Sequence, residues 1–195
     1  MTEPAPASPA RAPSPRAPGR PLPERAVLAG IRLLLLDVDG VLTDGRIWFD
    51  HEGREYKSFH VHDAAGLVYW HRSGGLSGFL SGRGGDVVER RARELKVHEV
   101  ILHRNDKFAA FRELLGRQQL TAAQVAYVGD DLLDLPVLRE VGLAATVPEA
   151  RPEVLAVAQF VTQRSAGFGA ARDVVEELLR ARDKWQEVVG KDGLP

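Results

Sequence analysis

Short apolar runs alternate with longer segments that carry helix signals from residue 31 almost to the end of the chain. The runs of strand length are 31–36, 76–80, 97–102, 125–128, 143–147 and 159–161. The helical segments are 63–73, 86–95, 107–116, 132–141 and 170–189. Strands that alternate with helices favour a parallel sheet with helices on both faces. The sequence therefore predicts an α/β fold, a Rossmann-like doubly wound parallel sheet, without a second domain.

Residues 46–60 interrupt this alternation and predict a β-hairpin. Aromatic and polar residues flank a turn that contains Gly53, and a helix with Asp63 as its N-cap is expected to follow. A segment this short leaves no room for a large cap domain. Its aromatic side chains would expose apolar surface on a monomer, so we expect a homo-oligomer. These aromatic residues are Trp48, Phe49, Tyr56 and Phe59.

The first 25 residues differ in composition from the rest of the chain. They contain eight of its 12 prolines and almost no large apolar side chains. Such a stretch has little to bury and cannot pair regularly, so it predicts a disordered tail. The folded domain is expected to span residues 26–190, with its first strand near Ile31.

The overall composition excludes several classes of protein. With a net charge of −1, the chain gives no electrostatic reason to expect nucleic acid or a membrane as a partner. The absence of cysteine excludes disulfides, thiolate metal sites and a cysteine nucleophile, and suits a cytoplasmic protein. No apolar run approaches the roughly 20 residues that a membrane-spanning helix needs.

Polar residues with chemical potential follow four of the predicted strands. In open α/β sheets, ligands bind where the carboxyl ends of the strands meet. We therefore expect these side chains to converge at one edge of the sheet. They are Asp37 and Asp39 after the first strand, Ser81 after the second, Lys107 after the third, and Asp130, Asp131 and Asp134 after the fourth.

This set of residues predicts magnesium-dependent phosphoryl chemistry. Carboxylates gathered in one place repel each other unless a cation lies between them, and oxygen ligands without His or Cys favour Mg²⁺ over zinc. Mg²⁺ favours phosphoryl substrates, and a lysine adds a positive charge for a phosphate or a nucleophile. Asp37 can attack phosphorus, and Asp39 can protonate the leaving oxygen.

The order and spacing of these residues resemble the four motifs of haloacid dehalogenase-type phosphatases. The motifs are the run 37–44 with its Asp-x-Asp-Gly start, Ser81, Lys107, and the run 129–134. The resemblance implies that Asp37 is the nucleophile, forming a phospho-aspartyl intermediate, and that Asp39 is the general acid and base. Ser81 and Lys107 would bind the phosphate.

The same resemblance implies a ligand set for Mg²⁺. The cation would be held by Asp37, the backbone carbonyl of Asp39, and Asp130. Asp131 and Asp134 would support the metal and the lysine. Each residue alone has an ordinary explanation, such as a helix cap or a surface charge, but four motifs in order favour the catalytic interpretation.

A finer resemblance is to the subfamily that hydrolyses 3-deoxy-D-manno-octulosonate 8-phosphate in lipopolysaccharide biosynthesis. It implies a tetramer in which the hairpin and a Gly-rich segment, here 165–169, close neighbouring sites. Arg83 and Arg91 match its substrate-contacting arginines, although Arg91 also suits a solvated helix face.

The chain departs from the subfamily pattern at positions that contact the sugar acid. Residues 60–64 read His-Val-His-Asp-Ala where the subfamily commonly has Asn-Val-Arg-Asp-Gly, and Val68 replaces an arginine. His60, His62 and Asp63 are therefore candidate substrate contacts. A phosphatase of a nonulosonate 9-phosphate or of a broader range of sugar phosphates remains the alternative.

Two functions outside phosphatase chemistry also use such residues. A phospho-accepting receiver domain carries acidic residues, a hydroxyl and a lysine on an α/β sheet, but its phosphorylated Asp follows the third strand. Here the Asp-x-Asp pair follows the first strand, and an acidic cluster follows Lys107. A catalytically silent scaffold would not need every reactive carboxylate. Both alternatives predict no turnover of p-nitrophenyl phosphate.

Overall fold

The computed structural model describes residues 20–192. The strands are β1 (Leu33–Leu36), β2 (Trp48–Phe49), β3 (Glu55–Tyr56), β4 (Leu76–Leu80), β5 (Glu99–Ile101), β6 (Val125–Val128), β7 (Leu143–Thr146) and β8 (Phe160–Val161). The α-helices are α1 (Arg25–Gly30), α2 (Val61–Arg72), α3 (Asp86–Glu94), α4 (Lys107–Gln118), α5 (Leu135–Leu138), α6 (Pro152–Val157), α7 (Ala170–Ala181) and α8 (Trp185–Asp192). Short 3₁₀ turns cover Ala122–Gln124 and Leu132–Asp134.

The main sheet is parallel, with strand order β5-β4-β1-β6-β7-β8. Strand β1 lies at its centre, where Leu35 is in register with Gly78 of β4 and with Tyr127 of β6. The order of the strands reverses at β1, which is the place where doubly wound sheets bind their ligands. The predicted Rossmann-like sheet is confirmed.

The four leucines of β1 explain how the two helical layers attach to the sheet. Alternate side chains of a strand point to opposite faces. Leu34 and Leu36 pack with α2, α3 and α7, whereas Leu33 and Leu35 pack with α4, α5 and α6. All four are completely buried. A continuous apolar run is what a strand covered on both faces requires.

The hairpin β2–β3 lies outside the main sheet and forms a separate antiparallel pair, with Trp48 opposite Tyr56. It occupies the predicted interval of residues 46–60, between β1 and α2. The prediction of a small hairpin without a large cap domain is thus confirmed.

The N-terminal part of the fold begins earlier than we expected. Helix α1 starts at Arg25, ahead of Ile31, and buries Leu28. The backbone N–H of Arg20 donates to the carbonyl of Ala158 at 2.9 Å. The helix has a single buried apolar residue, so the sequence carries no periodic signal for it. Most of the predicted tail, residues 1–19, lies outside the described residues.

The predicted helix over 170–189 is two helices. The break lies at Asp183, whose φ of 58° is in the left-handed region. The N–H groups of Asp183 and Lys184 donate to the carbonyls of Arg180 and Leu179, at 3.1 and 2.8 Å. This pattern is a Schellman motif, which terminates a helix. Glycine usually occupies this left-handed position. Because the residue here is an aspartate, the sequence carries no sign that the helix ends.

Other boundaries were wrong by smaller margins. The predicted helix over 132–141 is a 3₁₀ turn followed by the short helix α5, and α6 was not predicted. Pro136 and Pro152 stand at the starts of α5 and α6, where their missing N–H groups cost nothing. Among residues 20–192, no helix combines the length and apolar character needed to cross a bilayer.

Candidate active site

Three neighbouring strands of the sheet deliver polar residues to the same edge. Asp37 follows β1, Ser81 follows β4, and Asp130 lies two residues after β6. Asp37 and Ser81 are buried, and the N–H of Asp37 donates to the carbonyl of Val128 at 2.9 Å. Because parallel strands end on the same side, the predicted convergence of these residues is observed.

Lys107 enters this edge from the start of α4. The side chain of Asp106 caps the helix by accepting a hydrogen bond from the N–H of Ala109 at 2.9 Å. The Lys107 Nζ then lies 2.8 Å from Asp37 Oδ2 and 2.6 Å from Asp134 Oδ1. A buried ammonium group needs such partners to offset its lost hydration. The ammonium group of Lys107 is therefore held between the carboxylates of Asp37 and Asp134.

Asp134 braces the loop that follows β6. Its Oδ1 accepts hydrogen bonds from Lys107 Nζ and from the Tyr127 hydroxyl, at 2.6 and 2.5 Å. Its Oδ2 accepts the backbone N–H groups of Asp130 and Asp131, at 2.9 and 3.0 Å. Sequence reasoning assigned no role to Tyr127, because a tyrosine within an apolar strand is normally a core residue.

Asp131 points away from this cluster. It is exposed, and its Oδ1 accepts a hydrogen bond from the N–H of Leu132 at 2.8 Å. It caps the 3₁₀ turn that begins there. Its direct neighbour Asp130 faces inward, so adjacent acidic residues of one motif have different environments.

The donor set at this edge fits a hard divalent cation. Asp37, Asp130 and Asp134 each offer a carboxylate oxygen, and these oxygens lie within 4.8 Å of one another. Asp130 Oδ1 is buried and finds no hydrogen-bond partner in the part of the chain that the structure describes. An all-oxygen set without His is the chemistry that Mg²⁺ prefers. Asp134 already uses both oxygens in hydrogen bonds, so Asp37 and Asp130 are the carboxylates best placed to hold a cation.

Gly40 allows Asp130 to approach the loop after β1. Its φ is +89°, and a Cβ built on it would lie 2.2 Å from Asp130 Oδ2. Any side chain here would displace the carboxylate. The glycine that follows the Asp-x-Asp pair is thus required both by the backbone conformation and by the close approach.

Burial makes this cluster electrostatically costly. It raises the pKa of Asp37 to about 7, with a further contribution from the charge of Asp134, while the charge and hydrogen bond of Lys107 act in the opposite direction. Burial, followed by the charges of Asp37 and Asp134, raises the pKa of Asp130 to about 7. Burial alone would lower the pKa of Lys107, but the two carboxylates next to it raise it. Additional positive charge is therefore favoured at this place.

Asp39 faces the hairpin rather than this cluster. Its Oδ1 lies 2.5 Å from Lys57 Nζ, and its Oδ2 lies 3.9 Å from Arg83 Nε. Arg83 also donates to Glu55 Oε2 at 3.3 Å. Sequence reasoning assigned no role to Lys57 or Glu55, because only the folded hairpin brings them to Asp39.

The segment before α2 differs from its prediction. The N-cap is His60, whose Nδ1 accepts a hydrogen bond from the N–H of His62 at 3.2 Å. The prediction of Asp63 as N-cap was wrong. Asp63 lies inside the helix, and its buried Oδ1 accepts the N–H of Arg172 at the start of α7, at 3.0 Å. Burial raises the pKa of Asp63 to about 6.

Three of the candidate substrate residues lie at the start of α2 and on α3. The rings of His60 and His62 are 4.7 Å apart, and Phe168 of the Gly-rich segment lies 6.3 Å from His60. Arg91 stacks over the Phe59 ring at 5.5 Å and donates to a neighbouring glutamate on its own helix. Arg91 is thus held by contacts within its own chain.

Comparison with known proteins identifies the family. Residues 87–172 match the haloacid dehalogenase-like hydrolases. The 3-deoxy-D-manno-octulosonate 8-phosphate phosphatase KdsC of Yersinia pestis is 40% identical over 162 residues, which cover 83% of this chain and 87% of the relative. This chain belongs to the phosphatases of the haloacid dehalogenase superfamily. Its expected family and enzyme class are confirmed.

Solved structures of this superfamily match the phosphatase over most of its length. The enzyme of Moraxella catarrhalis, a 3-deoxy-D-manno-octulosonate 8-phosphate phosphatase in complex with magnesium ion, phosphate ion and KDO, is 34% identical with a TM-score of 0.84. The match covers 86% of this chain and 97% of that one. The cobalt-bound form of the Haemophilus influenzae enzyme is 33% identical, with a TM-score of 0.81 and coverage of 86% and 97%.

Proposed function

We propose that this phosphatase hydrolyses 3-deoxy-D-manno-octulosonate 8-phosphate, with Mg²⁺ as its cofactor. The observation that carries the proposal is the buried arrangement of Asp37, Lys107 and Asp130 at the strand ends, in a chain 40% identical to enzymes of that name. A chain of this size without a large cap also matches those relatives over most of their length.

The reaction proceeds in two steps on the chain's own residues. A carboxylate oxygen of Asp37 attacks phosphorus, the bond from phosphorus to the sugar oxygen breaks, and Asp39 gives that oxygen a proton. Asp39 then takes a proton from the water that attacks the phospho-aspartyl group, which releases phosphate and restores Asp37. Lys107 and Ser81 bind phosphate oxygens.

Asp37, Asp130 and the backbone carbonyl of Asp39 would hold Mg²⁺, which supplies charge neutralisation for the phosphoryl group when bound. The orphaned Asp130 Oδ1 and the raised pKa values of Asp37 and Asp130 support this assignment. Asp131 and Asp134 support the site by capping and bracing the loop that carries Asp130.

Recognition of the sugar acid is assigned to the edge of the site. His60, His62, Arg83 and Arg91 surround the hairpin and the start of α2, and they can bind a carboxylate and hydroxyl groups. Asp63 contributes by tying α2 to α7. A nonulosonate 9-phosphate shares the same keto-acid chemistry and is the second candidate substrate.

We further propose that the enzyme is a cytoplasmic homo-oligomer, a tetramer by its subfamily resemblance, and acts in lipopolysaccharide biosynthesis. Trp48 and Phe49 are each 62% exposed, and Tyr56 is 51% exposed. Exposed aromatic residues gathered on one hairpin are typical of a surface that contacts another chain. The hairpin would then help to close the site of a neighbour.

A panel of phosphate esters tests the substrate. With Mg²⁺ present, kcat/KM should be highest for 3-deoxy-D-manno-octulosonate 8-phosphate, at least about 100-fold above hexose phosphates. Asp37→Asn is the control for contaminating phosphatases and should show no turnover. A higher kcat/KM for a nonulosonate 9-phosphate would shift the assignment to the second substrate. An equal kcat/KM for all sugar phosphates would reject a dedicated sugar-acid phosphatase.

A further inference from the structure

Lys57 is a lysine of the hairpin with a buried side chain. Its side chain has no exposed surface, and its Nζ lies 2.5 Å from Asp39 Oδ1 and 3.2 Å from Glu55 Oε1. Burial of an ammonium group is unfavourable unless carboxylates compensate for its lost hydration. The lysine is therefore held in place by these two partners, and Asp39 is held in place by the lysine.

The two oxygens of Asp39 have different environments. Oδ1 accepts a hydrogen bond from Lys57, whereas Oδ2 is buried and has no hydrogen-bond partner among residues 20–192. Arg83 Nε is 3.9 Å from Oδ2, beyond hydrogen-bond distance. One oxygen is thus fixed by a hydrogen bond, whereas the hydrogen-bonding capacity of the other is unused.

The hairpin depends on the same contacts. Each of its strands has two residues, and a hairpin of that size is not stable by itself. Lys57 ties the hairpin to the loop after β1, and Glu55 ties it to Arg83 in the loop after β4. The contacts that seat the hairpin are therefore the contacts that orient Asp39.

We propose that Lys57 is a positioning residue that presents Asp39 Oδ2 for proton transfer. This inference rests on the proposed phosphatase function. Oδ2 gives its proton to the sugar oxygen as the bond to phosphorus breaks, and it takes one from water in the second step. Lys57 keeps its own protons throughout and acts only by holding Oδ1.

Leaving groups of different basicity distinguish this role from a structural one. An alkoxide leaving group needs a proton, whereas p-nitrophenolate leaves as a stable anion. We expect Lys57→Met to lower kcat/KM about 30- to 100-fold for the sugar phosphate, but less than about fivefold for p-nitrophenyl phosphate. Lys184→Met is the matched control, because Lys184 also forms an ion pair, with Glu187 on α8, and should leave both values unchanged.

Equal losses on both substrates, or no loss on either, would reject the inference while leaving the phosphatase assignment in place. Absence of Mg²⁺-dependent turnover in the unmodified enzyme would reject both. The two failures are therefore distinguishable.

A double-mutant cycle shows whether Lys57 acts through Asp39. In the Asp39→Asn background, Lys57→Met should cause no further loss on the sugar phosphate. An additional loss there would mean that Lys57 serves sugar recognition or assembly, which would overturn the proposal. If circular dichroism shows that Lys57→Met does not fold, Glu55→Gln replaces it. That variant should lower the ratio of the two kcat/KM values about threefold, and an unchanged ratio would overturn the proposal.

Discussion

The strand-end cluster and the hairpin are built in opposite ways. In the cluster, Asp37, Lys107 and Asp134 are buried and satisfy one another within a single chain. On the hairpin, Trp48 and Phe49 expose most of their surface and contact little of their own chain. From this difference we expect the cluster to carry out the chemistry within one chain and the hairpin to contact a second chain.

Lys57 connects the two regions. It belongs to the hairpin, but its ammonium group is as deeply buried as the cluster itself. The exposed aromatics and the buried lysine lie on the same short hairpin. A change in the position of the hairpin would therefore also shift the contact between Lys57 and Asp39. Variants in the two regions should therefore differ in their effects on turnover, assembly and thermal stability.

The largest effect is expected for the nucleophile. Asp37→Asn should lower kcat by more than about 10⁴-fold on every phosphate ester, because an amide is neither anionic nor nucleophilic. Thermal unfolding should show an intact fold. The exposed Asp86→Asn at the start of α3 is the matched control and should keep full activity. Normal turnover of Asp37→Asn would refute the assignment of the cluster as the catalytic region.

Metal removal should have the next largest effect. EDTA should abolish turnover and Mg²⁺ should restore it, because the site offers oxygen ligands only. Activity that survives complete chelation would contradict this. The control is a titration with excess EDTA followed by Mg²⁺ and, separately, by K⁺, which should restore nothing.

The raised pKa values add a pH dependence to metal binding. The pKa of Asp37 and of Asp130 is about 7 in the fold and 3.8 ordinarily. These two raised pKa values stabilise the metal-free fold at low pH, and this stabilisation is lost as the pH rises through about 7. Mg²⁺ should therefore raise Tm more at about pH 8 than at about pH 5.5. An equal increment at both values would argue against carboxylates with raised pKa as the ligands.

Substitutions of the hairpin aromatics should affect oligomer assembly more than the chemical step. The double variant Trp48→Ser and Phe49→Ser should dissociate the oligomer in light scattering and lower kcat/KM for the sugar phosphate at least about tenfold. Turnover of p-nitrophenyl phosphate should persist. Val100→Ser on the edge strand β5 removes another exposed apolar side chain and should leave assembly unchanged. A fully active monomer would mean that the hairpin acts within its own chain alone.

The smallest effect is expected for an Asp→Asn substitution, whose influence on stability should differ between the cluster and the hairpin. Asp130→Asn should stabilise the metal-free enzyme at about pH 8 by about 1–2 kcal/mol, since it removes a buried charge next to two others. A Tm rise of a few degrees in a thermal melt would follow. Asp50→Asn should give no such rise, because Asp50 accepts bonds from Arg54 and Tyr56 that lower its pKa. A fall in Tm for Asp130→Asn would contradict the predicted repulsion.

Much of the strand-end cluster was predictable because its placement follows a local rule. A buried apolar strand ends, and the next polar residue must lie at the edge of a parallel sheet, whichever side chains surround it. The exact match of β6 at Val125–Val128 illustrates this, as do Asp37 after β1 and Ser81 after β4.

Tertiary packing set the contacts that no local pattern contains. Lys57 meets Asp39 across 18 positions of sequence, and Asp63 meets the N–H of Arg172 across 109. Asp63 had the sequence signature of an N-cap, but burial against α7 gave it a different partner. Side-chain pairs so far apart in the chain depend on how whole elements pack, because the residues between them carry no signal for the contact. The carboxylates proposed as catalytic were thus predictable from the sequence, whereas the lysine that contacts one of them became visible only in the folded chain.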